Sequence, residues 1–160
     1  MIRRKLLMAS AIIASGVSTA CSDTTAPTEL APGAPAFARS GTFHVEKNCS
    51  DYQGRANDIC TFTSSTLKQI EPGSTITYAS DAGVNGLLNT DVVLDLPGPG
   101  NNAAFGHCTI DLVQGTGQCE FTGGTGKFTW FHAHVDVLPL EPRADLNFEW
   151  NGTYSFSPKD

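Results

Sequence analysis

What this chain of 160 residues lacks narrows its chemistry before anything present does. Its longest mostly apolar run, residues 6–17, would make a helix of about 18 Å, short of a hydrocarbon core of roughly 30 Å, so no transmembrane helix is expected. There is no G-x-S-x-G elbow, and a hydrolase triad cannot be argued from the mere supply of Ser, His and Asp. Gly123-Gly124-Thr125-Gly126-Lys127 imitates a phosphate loop, but Phe121 stands where the first glycine belongs and Phe128 where Ser or Thr should hold magnesium. C-x-x-C pairs are absent, which leaves little for a structural zinc. Ten Lys and Arg face sixteen Asp and Glu with no basic stripe, so phosphate would be repelled and nucleic acid is not expected as a partner. No cofactor signature remains, and none is expected.

Arg3, Arg4 and Lys5 precede the apolar run, and Ser18, Thr19 and Ala20 follow it. That is the layout of a secretory signal over residues 1–20. Cys21, directly after Ala20, resembles the lipobox of bacterial lipoproteins, with Ser18 where that family usually has leucine. The resemblance implies cleavage before Cys21 and a lipid on its thiol, hence a membrane as partner. Because Ser22 rather than an acidic residue follows, it also implies an outer-membrane lipoprotein facing the periplasm or the surface. Ordinary cleavage that leaves Cys21 a plain residue is the other reading. In either case Arg3, Arg4 and Lys5 leave with no acid, and the formal charge moves from −6 to −9. Residues 21–40, with Pro27, Pro32 and Pro35 and no apolar period, read as a flexible tether. Residues 41–160 are long enough for one domain with one core.

Cys49, Cys60, Cys108 and Cys119 remain, an even number in an exported chain, and two disulfides are the natural inference. Of the three connectivities, Cys49–Cys60 and Cys108–Cys119 are favoured because each closes a short loop. The second pair carries a geometric condition. A turn centred on Gly115 and Thr116 would set Cys108 opposite Gly123, so the bridge needs a wider loop centred nearer Val113.

Strand signals dominate the domain. Residues 42–48, 59–67, 74–78, 87–96, 104–113, 118–122, 127–138 and 145–156 are rich in Thr, Val, Ile and aromatics and are separated by Gly, Pro and Asn. About eight strands with no helix mean an all-β barrel or sandwich. Along residues 127–138 alternation puts Phe128, Trp130, His132, His134 and Asp136 on one face. Thr129, Phe131, Ala133, Val135 and Val137 fall on the other, which reads as the core face.

TGGTGKFTWFHAHVDV, residues 122–137, together with Gly106-His107 upstream and Tyr154-Ser155-Phe156 at the close, resembles the allene oxide cyclase and dirigent group of β-barrels. Those proteins carry a GGSG or GGTG turn, then an aromatic, then alternating small and aliphatic residues. The resemblance implies a single antiparallel eight-stranded barrel whose lumen can hold a hydrophobic small molecule. It also implies a role for Glu46 and Asn48, similar in type and place to a Glu-x-Asn element that polarises substrate inside the cyclases' lumen. The paired aspartates of dirigent proteins have no counterpart here.

Three functions follow. The first is an exported, lipid-anchored barrel that binds a small hydrophobic ligand, or serves the cell envelope, without catalysis. The second is an isomerase or cyclase with Glu46 in the lumen, its pKa raised by burial so that it serves as acid or base. Against this stands the more ordinary arrangement with Phe43 and Val45 inside and Glu46 in solvent. The third is a metal site, since His132 and His134 lie about 6.5–7 Å apart on one strand face, with His107 from a neighbouring strand as a further ligand. Solvated histidines on an outer face are the plainer account.

Overall fold

Leu88, Thr90, Val92 and Leu94 are buried while Leu87, Asn89, Asp91, Val93 and Asp95 point to solvent. This strict period of two, expected of a strand with one wet face, recurs around the domain. The computed structural model describes residues 40–141 and 146–158. The signal segment, Cys21 and the tether up to residue 39 lie outside the described residues. Eight strands follow one another: β1 (Ser40–Asn48), β2 (Ile59–Ser65), β3 (Thr75–Tyr78), β4 (Leu87–Asp95), β5 (Ala103–Asp111), β6 (Thr116–Gly124), β7 (Phe131–Pro139) and β8 (Asn147–Phe156). Each pairs antiparallel with the next, and β8 pairs with β1 from Ser40↔Ser155 to Asn48↔Asn147, closing the barrel. Among the described residues there is no α-helix.

The lumen is filled by rings rather than left open. Trp150 is fully buried at the centre, edge-on to Phe62 at 5.1 Å and tilted against Phe121 at 5.8 Å. Phe131 continues the stack to Phe121 at 5.9 Å and Phe128 at 5.2 Å. Leu67 and Ile70, from the β2–β3 connection, join the same core. The outward face instead carries Asn89, Asp91, His107, Asp111, Gln118, Glu120, His134 and Asp136. That is the reverse of a membrane-spanning barrel, in which charge on the outer wall is destabilising at mid-bilayer, by about 2–4 kcal/mol for Lys or Arg and less for Asp or Glu.

β7 departs from expectation at its start. Phe131, Ala133, Val135 and Val137 do form the core face, but Gly126–Phe128 is a 3₁₀ turn. That turn breaks the alternation, so Phe128 is buried and Thr129 exposed. Gly126 adopts φ +57° in this turn, and a Cβ at Gly124 would strike the Ala103 carbonyl. The glycines thus serve a turn in one case and a close backbone approach in the other. Trp130, just before β7, is half-exposed at φ +65°, a costly conformation for a bulky residue.

Both favoured disulfides are present, Cys49–Cys60 with Cα atoms 4.3 Å apart and Cys108–Cys119 at 4.1 Å. Cys108 faces Cys119 directly across β5 and β6 because the turn between the strands is the wider one. Asp111 Oδ1 accepts from the Val113 and Gln114 amides at 2.8 and 3.0 Å, and Gly115 N–H closes on the Asp111 carbonyl at 2.7 Å. With both cysteines buried and eleven residues apart, replacing them by serine should cost about 3 kcal/mol by loop entropy. Urea unfolding of the oxidised wild type against the double variant measures it.

Candidate functional site

On β1 the alternation that buries Phe43 and Val45 runs one step further and buries Lys47, which is 2 % exposed. A β-bulge sets its place. Glu46 pairs with Ser64 but Lys47 with Phe62, so β2 gains a residue at that point, which strengthens local twist and re-aims side chains. The Lys47 ammonium lies among rings: its Nζ is 4.6 Å from the Trp150 centroid, 5.4 Å from Tyr78 and 6.0 Å from Phe148. Its hydrogen bond goes to the Tyr78 hydroxyl oxygen at 2.6 Å. Tyr78 Oη is also 3.8 Å from Cys60 Sγ. A bridged sulfur has no proton to give, so there the tyrosine donates.

Among the described residues no carboxylate forms an ion pair with Lys47. Three rings offer cation–π attraction, worth up to about 2 kcal/mol each when desolvated. They do not replace water around an ammonium, and burial pushes the amine's pKa down to about 7. Burial also raises Tyr78, so its phenol stays protonated. Tyr52, from the β1–β2 loop, stands edge-on to Tyr78 at 5.0 Å. Burial first, then the charges of Asp58 and Asp81, raise its pKa as well, and its buried hydroxyl has no hydrogen-bond partner among the described residues. These groups meet at a cleft of about 40 Å³, lined by Lys47 together with Tyr52, Tyr78, Leu88, Ile110, Val137 and Phe148. At roughly 10–15 Å³ of such volume per water, it has room for about three small atoms. The arrangement can hold an oxygen acceptor against an amine with apolar walls around the rest of the molecule.

The residues expected at the site stand elsewhere. Glu46 and Asn48 are not in the lumen, because the register that turns Lys47 inward turns them out. Glu46 lies 3.8 Å from His44 Nε2 with its side chain 43 % exposed, and Asn48 donates to Asn147 Oδ1 at 2.9 Å. The outer-face histidines each have separate neighbours. His107 is held by Asp91 Oδ1 at 2.8 Å and Asn89 Oδ1 at 2.5 Å, and His134 lies 3.3 Å from Glu120 Oε1. Glu120 on β6 stands between His107 and His134 in the sheet. His132 sits half-buried on β7, opposite Ser155. Among the described residues no group of three His, Cys, Asp or Glu side chains is placed to hold a metal ion. The signal that could have found Lys47 was the same alternation that put Phe43 and Val45 inside, carried two residues on.

No protein family, curated protein or solved structure matches the chain.

Linkage gives the site a measurable signature. A lysine whose folded pKa is about 7 and whose unfolded value is 10.5 binds fewer protons in the folded state between those limits. Stability therefore rises with pH across that window, by up to about 1.4 kcal/mol per unit, and the penalty is full below about pH 7. Lys47→Met should remove the slope and, below pH 7, stabilise the domain by on the order of 1–4 kcal/mol. Denaturant midpoints of the two proteins between pH 6 and about 9.5 check this. Above that range the raised tyrosines begin to act in the opposite direction.

Proposed function

We propose that this protein is an exported, lipid-anchored barrel that binds a small apolar molecule bearing one oxygen acceptor, with Lys47 as the anchor, and that it does so without isomerase chemistry at Glu46. The observation that carries the reading is a buried lysine, unpaired with any described carboxylate, lining a mostly apolar cleft. Ligand sites are mostly apolar walls with a few placed polar groups, and the cleft has that composition on a small scale. The closed eight-stranded antiparallel barrel is the architecture that the allene oxide cyclase and dirigent resemblance implies, and membership of that group belongs to the same proposal. The rings packed through the lumen favour a ligand held at the mouth over one drawn inside.

Butyrate and butyramide, whose oxygen ends alone need enter the cleft, are suitable probes, and Trp150, 4.6 Å from the amine, is a reporter once exposed Trp130 is changed to Phe. Saturable quenching should appear in the Trp130→Phe protein. It should weaken about tenfold or more with Lys47→Met, the loss of one charge-assisted hydrogen bond, and persist with Glu46→Gln. Equal binding by the Lys47→Met protein would sink the reading. Anchoring has its own test: palmitate label incorporated by cells should follow the wild-type chain and be absent from Cys21→Ser.

A further inference from the structure

The cleft holds a primary amine, a phenol and very little space, and this combination suits a covalent reaction as well as a contact. We infer that Lys47 captures short aldehydes as a reversible Schiff base, with Tyr78 as the proton carrier. This rests on the reading of the cleft as a ligand site and names its ligand class.

Four observations converge on it. Lys47 and Tyr78 both line the cleft and their polar ends meet, so a carbonyl group entering it lies beside the residue that carries the amine. Among the described residues no carboxylate pairs with the ammonium, so only ring faces and the Tyr78 oxygen favour its proton, and burial leaves about half of it as free amine near neutrality. Tyr78 Oη is 2.6 Å from Nζ, close enough to pass a proton either way, and burial keeps that phenol in its donating form. The cleft of about 40 Å³ admits about three atoms, which fits the carbonyl end of a short unbranched aldehyde whose tail stays at the mouth, and not a bulky ketone.

The step balances without an oxidant. The free amine's lone pair attacks the carbonyl carbon and forms the N–C bond while the π pair moves to oxygen. Tyr78 donates its proton to that oxygen and recovers one from nitrogen, giving a neutral carbinolamine. A second proton delivered to the hydroxyl breaks the C–O bond, nitrogen releases its remaining proton, and C=N forms. One aldehyde enters and one water leaves. Tyr52, whose buried hydroxyl has no hydrogen-bond partner among the described residues, lines the cleft and can donate a hydrogen bond to the carbonyl oxygen or the departing water.

The titratable groups facing Lys47 are Tyr78 from β3 and, beyond it, Tyr52 from the β1–β2 loop. β2 presents Phe62 and the Cys60 half of a disulfide, and β8 presents Phe148 and Trp150, none of which titrates. An ordinary lysine is free amine to less than about one part in a thousand at pH 7.

Propanal with borohydride on the full purified chain at pH 7 is the test. One propyl group per molecule is expected, mapped by peptide mass to Lys47. Lys68, Lys127 and Lys159 should stay bare under these conditions, and prior butyramide should protect Lys47. The single fast adduct should vanish in Lys47→Met. Propyl groups spread over the other lysines with Lys47 bare overturn the inference. If butyramide still binds in that case, only the covalent step falls; if it does not bind, the ligand site falls with it.

Discussion

The seam between β8 and β1 is the constraint from which the other features follow. It runs the length of both strands, from Ser40↔Ser155 to Asn48↔Asn147, and it removes the sheet's edges. It also fixes register. A slip of one residue along β1 would turn His44, Glu46 and Asn48 into the core and expel Phe43, Val45 and Lys47. The hydrophobic contacts of Phe43 and Val45 decide which arrangement wins, and Lys47 goes inside because it shares their parity. The site is thus a consequence of packing two residues away.

Such a lysine is expensive in free energy, and the rest of the barrel has to offset it. The ring stack through Trp150, Phe62, Phe121 and Phe131 gives the core its apolar surface. Two buried bridges restrict the unfolded chain. Buried strain of this kind persists where the surroundings over-determine it, and it tends to coincide with function. The outward wall, with its Asp, Glu, His and Asn, contributes solubility, and its exposed ion pairs, such as His134 with Glu120, are worth little to stability.

Much of the architecture was legible because it rests on local rules. Period-two alternation marked the eight strands, and glycine and proline clusters marked most of the turns. The even set of cysteines at equal spacing marked both bridges. What could not be read depended on non-local geometry. The 3₁₀ turn Gly126–Phe128 reverses the parity of Phe128 and Thr129 because Gly124 must lie against the Ala103 backbone, a contact between strands that alternation cannot report. Trp130 takes positive φ in the chain reversal into β7. The role expected of Glu46 came from a two-residue likeness, and the actual inward residue stood between the two. The outer histidines looked like ligands in sequence because spacing says nothing about which carboxylate each ring meets.

Both disulfides tie neighbouring strands, Cys49, one residue past β1, to Cys60 of β2 and Cys108 of β5 to Cys119 of β6. They hold together residues that are already near in sequence, whereas the seam joins the first strand to the last and is held by hydrogen bonds and packing alone. The covalent ties therefore do little to lower the contact order of the fold. Residues more than a hundred positions apart must find one another by diffusion before the barrel exists. Chains of such topology fold on the order of milliseconds to seconds rather than microseconds. Until the seam forms, Lys47 is an ordinary solvated lysine, so its altered chemistry is a property acquired only when the barrel closes.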